Sequence, residues 1–121
     1  MSGARSEFLA PVAFEWDENK NHRNLRKHEV RFETATLVFE DPFAITQRDS
    51  RFEAEERWIT IGAIGQGSIL LVVHTLFESG EEEVIRIISA RAAESHERKA
   101  YAEAHKGSEA RHPRDRKKTR R

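Results

Sequence analysis

The eight residues Val84-Ile85-Arg86-Ile87-Ile88-Ser89-Ala90-Arg91 constrain the fold of this chain more than any other stretch. Four of the first five are β-branched, which suits a pleated, closely packed strand and disfavours a helix. Two arginines and a serine interrupt the apolar run. A guanidinium in such a strand needs a carboxylate, a bound anion or an open sheet face. An internal ion pair and a phosphate-binding surface both meet that need. Side chains alternate along a strand, so Arg86 points with Val84 and Ile88, opposite Ser89 and Arg91. The two arginines converge only if a bulge intervenes or a helix begins near Ala90.

The neighbouring segments extend this strand into a sheet. Glu56–Ile61 and Ser68–Thr75 read as further strands, and Phe43–Thr46 as another candidate. Gly65 and Gly67 mark one turn and Ser79-Gly80 the next, so successive strands form hairpins and an antiparallel meander. Ahead of the meander, Ala13-Phe14-Glu15-Trp16 alternates small or charged residues with aromatics and reads as a short strand. Asp17 is placed to cap a helix running to His28. Glu18 lies in its first turn, and Arg23, Arg26, Lys27 and His28 lie toward its end, the charge order a helix dipole favours. Leu25 is its one strong apolar anchor, so neighbours must stabilise it or its polar face must contact something. Lys20, Asn24 and Lys27 share a face, which suits plain solvation as well as a ligand.

Phe32, Ala35, Val38 and Phe39 give a second helix an apolar stripe, and Asp41-Pro42 ends it. Ser95–Ala104 reads as a last helix, with Glu97, Ala100, Tyr101 and Ala104 on one side. The expected class is α+β: an antiparallel β-meander of four to five strands, two N-terminal helices and one C-terminal helix. The helices cover one face of the sheet and leave the other as a working surface.

A chain of 121 residues is enough for one domain core without metals or disulfides. The absence of cysteine excludes disulfides, thiolate zinc sites and cysteine nucleophiles. Apolar runs such as Ile69–Val73 are too short to cross a bilayer and no signal-peptide layout is present, so no membrane partner and a cytoplasmic location are expected. The net charge of zero is uneven. From Lys106 to Arg121 eight Lys/Arg face only Glu109 and Asp115, a balance of +6, and the preceding residues carry −6. Residues 1–12 therefore read as a flexible leader, 13–105 as the domain, and 106–121 as a basic tail that does not fold by itself. Such a tail either raises affinity for an RNA backbone or merely solubilises. The acidic body confines any phosphate site to a local patch.

No phosphate-binding loop, dinucleotide fingerprint, HExxH or serine elbow occurs. The histidines lack metal-ligand spacing, so neither metal nor cofactor is expected. The remaining inventory of Arg, Lys and His fits RNA cleavage without metal. The ribose 2′-hydroxyl is the nucleophile there, and the protein has only to move a proton and stabilise charge on the phosphate. Arginine suits the second task through its fixed fork of donors. His74, on an apolar strand, is either a proton-transfer group or a hydrogen-bonded structural residue.

Phe14-Glu15-Trp16-Asp17, Lys20, Asn24, Lys27-His28, Phe32, Ala35, Phe39, Asp41-Pro42, Glu56-Arg57-Trp58, Gly62, His74, Arg86–Arg91, Glu97-Arg98 and Tyr101 together resemble the BrnT toxins. The resemblance covers about residues 14–104. It implies a RelE-like fold and a type II toxin–antitoxin toxin whose ribonuclease activity inhibits translation. It also implies a BrnA-type antitoxin with a ribbon-helix-helix end, and operator DNA bound only through that antitoxin. A dimer within a toxin–antitoxin heterotetramer is compatible with it. On this reading Arg57, Arg86 and Arg91 stabilise the phosphate, His74 transfers a proton, and Lys20, Lys27 and Tyr101 position RNA. The competing reading is a non-catalytic module whose arginines hold a partner or pair internally with Glu15, Glu56 or Glu97. One departure stands out: the family usually has glycine after the Lys-His pair, and here Glu29 occupies it. If the left-handed geometry is kept, that costs roughly 1 kcal/mol.

Overall fold

The computed structural model describes residues 12–51, 56–65 and 67–110. These run as strand β1 (Val12–Glu15), helix α1 (Glu18–His28), one helical turn α2 (Phe32–Ala35) continuing into a 3-10 helix (Thr36–Glu40), β2 (Ile45–Arg48), β3 (Trp58–Gly65), β4 (Ser68–Ser79), β5 (Glu82–Ala92) and α3 (Ser95–Ala110). Nearly all of the expected leader, and the tail from residue 111, lie outside the described residues. The last helix continues past the expected boundary at 105.

The five strands are ordered β1-β5-β4-β3-β2. Strands β2 to β5 form the expected antiparallel meander. β1 departs from it, because it lies parallel to β5 with Phe14 opposite Ile85 and Glu15 opposite Arg86. The sheet is therefore mixed. The alternation in Ala13–Trp16 decides which face Phe14 takes, but no turn ties β1 to a sequence neighbour, and only tertiary packing selects β5.

Between β4 and β5 the register passes from Val73 opposite Ser89 to His74 opposite Ile87, so Ile88 is an extra, bulged residue. Ile85, Ile87 and Ala90 consequently enter one core cluster despite their mixed parity. Ser89 and Arg91 turn to the other face, where Arg86 already points.

That first cluster packs Phe32, Ala35 and Val38 against Leu70, Val72 and Ile87. Each large apolar side chain so buried contributes about 1.5–3 kcal/mol. On the opposite face Tyr101 of α3 packs with Ile61, Leu71 and Val73. Helices thus lie on both faces, and the surface expected to be open is partly covered by α3. The two-residue link Ala93-Glu94 between β5 and α3 turns the helix back onto this side. The second helix is shorter than its stripe implied, because it tightens into the 3-10 segment before Asp41-Pro42. Gly62 makes room for that segment: a Cβ there would stand 3.0 Å from both Val38 Cβ and Val38 O.

α1 owes its position to two buried asparagines. Asn21 accepts from the Phe32 N–H at 2.8 Å, covering the start of α2. Asn24 binds β5, as described below. Asp17 caps α1 by accepting from Asn19 and Lys20 N–H at 2.8 and 3.2 Å. Glu29 closes it at φ 62° and ψ 30°, with its N–H donated to the Leu25 carbonyl at 2.9 Å. The left-handed geometry is kept without glycine.

Candidate nucleic-acid interface

The pairing of β1 with β5 ends at Glu15 and Arg86, yet β5 continues to Ala92. Beyond that point the backbone edge of β5 is taken up by α1. Asn24 donates to the Ala90 and Val30 carbonyls at 2.8 and 2.9 Å and accepts from the Ala90 N–H at 3.1 Å. In a residue only 6% exposed, this amide substitutes for a missing strand. It clamps α1 beside the bulge.

An open hollow of about 420 Å³ results. Lys20, Arg23, Lys27 and His28 descend from α1, Arg57 enters ahead of β3, and Ile88 and Ser89 of the bulge form the floor. Asn24 completes the wall, and among the described residues no carboxylate lines the hollow. Three of the expected site residues, Lys20, Lys27 and Arg57, are brought together here. Arg23 and His28 join them, although in the sequence they read only as helix-end charges and, for His28, as part of the Lys-His pair. Arg23 lies three residues after Lys20 and four before Lys27, so the helical spacing carried its signal. For Ser89 the signal was hidden, since its orientation depends on the bulge.

Arg86 and Arg91 share the face of the hollow, but each already holds a carboxylate. Arg86 donates to Glu15 at 2.7 Å across the β1–β5 pair. Arg91 forms a two-pronged pair with Glu97 at 2.8 and 2.9 Å. Glu97 also accepts the Glu94 N–H at 2.8 Å, which fastens the start of α3 to the end of β5. The Arg91 hydrogen bonds hold the Glu97 carboxyl down to about 2, with burial opposing. Arg48 and Glu56 stand 3.6 Å apart. Glu15 and Glu97 thus hold Arg86 and Arg91 as the internal-pairing reading has it, whereas Glu56 stands beside Arg48, an arginine outside that reading.

His74 lies elsewhere. It is 1% exposed on the face packed by α2 and the 3-10 helix, edge-on to Phe39 at 5.0 Å. Its Nε2 meets Thr60 Oγ1 at 2.8 Å, and Thr60 Oγ1 meets Thr46 Oγ1 at 2.8 Å, a polar link across three strands. Burial pulls its pKa down to about 4, outweighing the backbone of Thr75. A neutral ring shut behind the sheet has no path to the hollow, which corrects the sequence expectation on geometric grounds. Tyr101 is also remote from the cations. It is 8% exposed and donates its hydroxyl to Asp41 Oδ2 at 2.6 Å. The same oxygen accepts the Ala63 N–H at 2.8 Å. Burial, then the Asp41 carboxylate, push the phenol up to about 12. Its place is that of a tie between α3 and the β2–β3 end.

Among the described residues, Glu94, His96 and Glu97 bring ligand atoms within 4.8 Å of one another. Glu97 gives both oxygens to Arg91, so the group is poorly suited to a metal. No helix of the described residues is long and apolar enough to cross a membrane.

A mixed five-stranded sheet with a basic helix clamped to β5, beside its short parallel edge strand, defines a class of small α+β proteins with a solved member. The chain is similar to the crystal structure of the Brucella abortus ribonuclease toxin BrnT, with 24% identity and a TM-score of 0.52 over 70% of this chain and 99% of that one. At that identity the likeness shows the fold alone. No curated protein matches the chain. A family model described as the ribonuclease toxin, BrnT, of type II toxin–antitoxin system matches residues 16–97, a span that contains every residue of the hollow. The chain belongs to the BrnT family of type II toxin–antitoxin toxins.

Proposed function

We propose that this chain is a metal-independent RNA endonuclease and that the hollow seats the scissile phosphate. One observation carries the reading: Lys20, Arg23, Lys27 and Arg57 converge on the floor formed by Ser89, with no carboxylate among the described residues that line the space. Cations held on a clamped helix are preorganised for the charge that builds on a pentacoordinate phosphate. The ribose 2′-oxygen attacks phosphorus, the bond from phosphorus to the 5′-oxygen breaks, and a 2′,3′-cyclic phosphate and a 5′-hydroxyl result. The 2′-hydroxyl proton passes to a base, and the departing 5′-oxygen takes one up. His28 is the imidazole placed in the hollow for this exchange. Arg57 neutralises the phosphate, Lys20 and Lys27 position the backbone, and Ser89 offers a hydroxyl donor. Arg86 and Arg91 add positive potential from the rim, held in place by Glu15 and Glu97.

In a RelE-like manner, such cleavage inhibits translation in the cytoplasm. A BrnA-type antitoxin with a ribbon-helix-helix end neutralises it, with a toxin dimer inside a heterotetramer as the assembly. The internal pairs of Arg86 and Arg91 favour one second reading, in which the hollow holds an anionic partner without chemistry.

Incubating the purified protein with RNA in EDTA separates the two. Cyclic phosphate ends are expected, and Lys27→Ala and Arg57→Ala each lower the rate by a factor of about ten or more. With about four phosphate-directed cations, affinity for single-stranded RNA falls roughly twentyfold when salt is tripled. Intact RNA beside folded protein would overturn the enzymatic reading.

A further inference from the structure

A second concavity, of about 580 Å³, opens where α1 ends, α2 begins and the β3–β4 turn passes beneath the start of α3. Its floor includes Leu25, Val30, Ile64 and Leu70, while Arg31 and Arg98 stand on its rim. Among the described residues Glu29 is the one carboxylate that lines it. Val30 and Leu70 are 9% and 5% exposed, so the floor is a surface of the core. An apolar floor offers nothing to a phosphate, and among the described residues no aromatic ring lines the space on which a base would stack. The fittest occupant is an apolar side chain carried on a protein segment, with acidic neighbours for the arginines.

The place of this cleft matters as much as its chemistry. It shares a wall with the hollow: Leu25 of α1 and its cap Glu29 line one, while Asn24, Lys27 and His28 line the other. On β5 the hollow ends at Ser89 and the cleft includes Ala92. At about 3.3 Å per residue these positions lie roughly 10 Å apart, a span covered by three or four extended residues. A type II toxin belongs with an antitoxin that silences it.

We propose that the cleft anchors an apolar side chain of an acidic segment of the antitoxin, whose neighbouring carboxylates reach past the end of α1 onto the cations of the hollow. The competition with RNA rests on the reading of the hollow as the RNA site; the anchoring does not. One segment then supplies affinity in the cleft and neutralisation in the hollow, so antitoxin and RNA exclude each other.

Ser68 and Arg31 are exposed residues on the cleft. Ser68→Trp fills the space, and Arg31→Glu reverses the charge of the rim. Each variant is titrated calorimetrically with the cognate antitoxin, and each is assayed alone for RNA cleavage. A loss of antitoxin affinity by a factor of about ten or more, with cleavage within about twofold of the parent, is the expected result. Unchanged affinity in both variants overturns the proposal. So does a matching loss of cleavage with the circular dichroism spectrum intact, because the cleft would then belong to the RNA path. If the parent cleaves no RNA while both variants lose the antitoxin, the anchoring stands and the ribonuclease reading falls.

Discussion

Glu29→Gly tests how much of the stability of α1 is spent on a left-handed residue that is not glycine. Glu29 sits at φ 62° and ψ 30°, where its Cβ crowds the following carbonyl. That crowding costs about 1–2 kcal/mol in an L-residue. Glycine removes it, but the extra freedom of the unfolded chain takes back about 0.4–1 kcal/mol. A carboxylate at the C-terminal end of the helix dipole adds a further penalty of about 0.3 kcal/mol, also lifted. The net expectation is a stabilisation of about 1 kcal/mol, or roughly 4–8 °C in Tm for a domain of this size. Glu29→Ala is the control, because it relieves the charge and retains the Cβ, so it yields only about 0.3 kcal/mol. Urea denaturation at neutral pH measures all three proteins. A glycine variant no more stable than the alanine variant would refute the backbone reasoning. Since neither substitution touches Lys20, Lys27 or Arg57, RNA cleavage at low temperature should match the parent.

Other perturbations probe the sheet and its ion pairs. His74 titrates at about 4 in the fold against 6.5 for the ordinary ring, so its stabilisation is complete above pH 6.5 and is lost as pH falls toward 4. The loss amounts to about 3 kcal/mol; His74→Gln removes this slope from the pH dependence of the urea midpoint, and an unaltered slope would sink the assignment. Glu97 titrates at about 2 against 4.5, so the stability it confers is present above 4.5 and fades as pH falls toward 2. Glu97→Gln should cost about 1–2 kcal/mol at pH 7 after allowance for solvent screening, while tightening RNA binding because Arg91 is released. Gly62→Ala, with its Cβ pressed on Val38, should cost about 1–3 kcal/mol, visible as a drop in Tm without a change in the RNA products.

Local chemistry was legible in the sequence, and long-range choices were not. Asp17 as cap, the order of the strands in the meander and the polar character of α1 all follow from residues within one turn or one hairpin. The parallel docking of β1 does not, because nothing between Glu15 and Arg86 encodes it locally. The same limit hid the site. Lys20 and Lys27 could be assigned to one helix face, but the sheet element opposite them depended on Ile88 bulging, and no residue type marks a bulge. His74 shows the converse. Its alternation with Val72 and Leu70 correctly put it with core residues, and the titratable ring drew attention to a position whose burial the neighbouring leucine and valines already announced.

The clamp between Asn24 and Ala90 joins positions 66 residues apart. The order in which the chain folds is thereby restricted. Loop closure over that length is paid before the amide gains its partners, so α1 cannot settle beside the bulge early. Any folding intermediate in which β5 has not yet docked has no hollow. During synthesis the cations of α1 emerge long before the strand that organises them, and the nascent chain stays without an assembled hollow until β5 has left the ribosome.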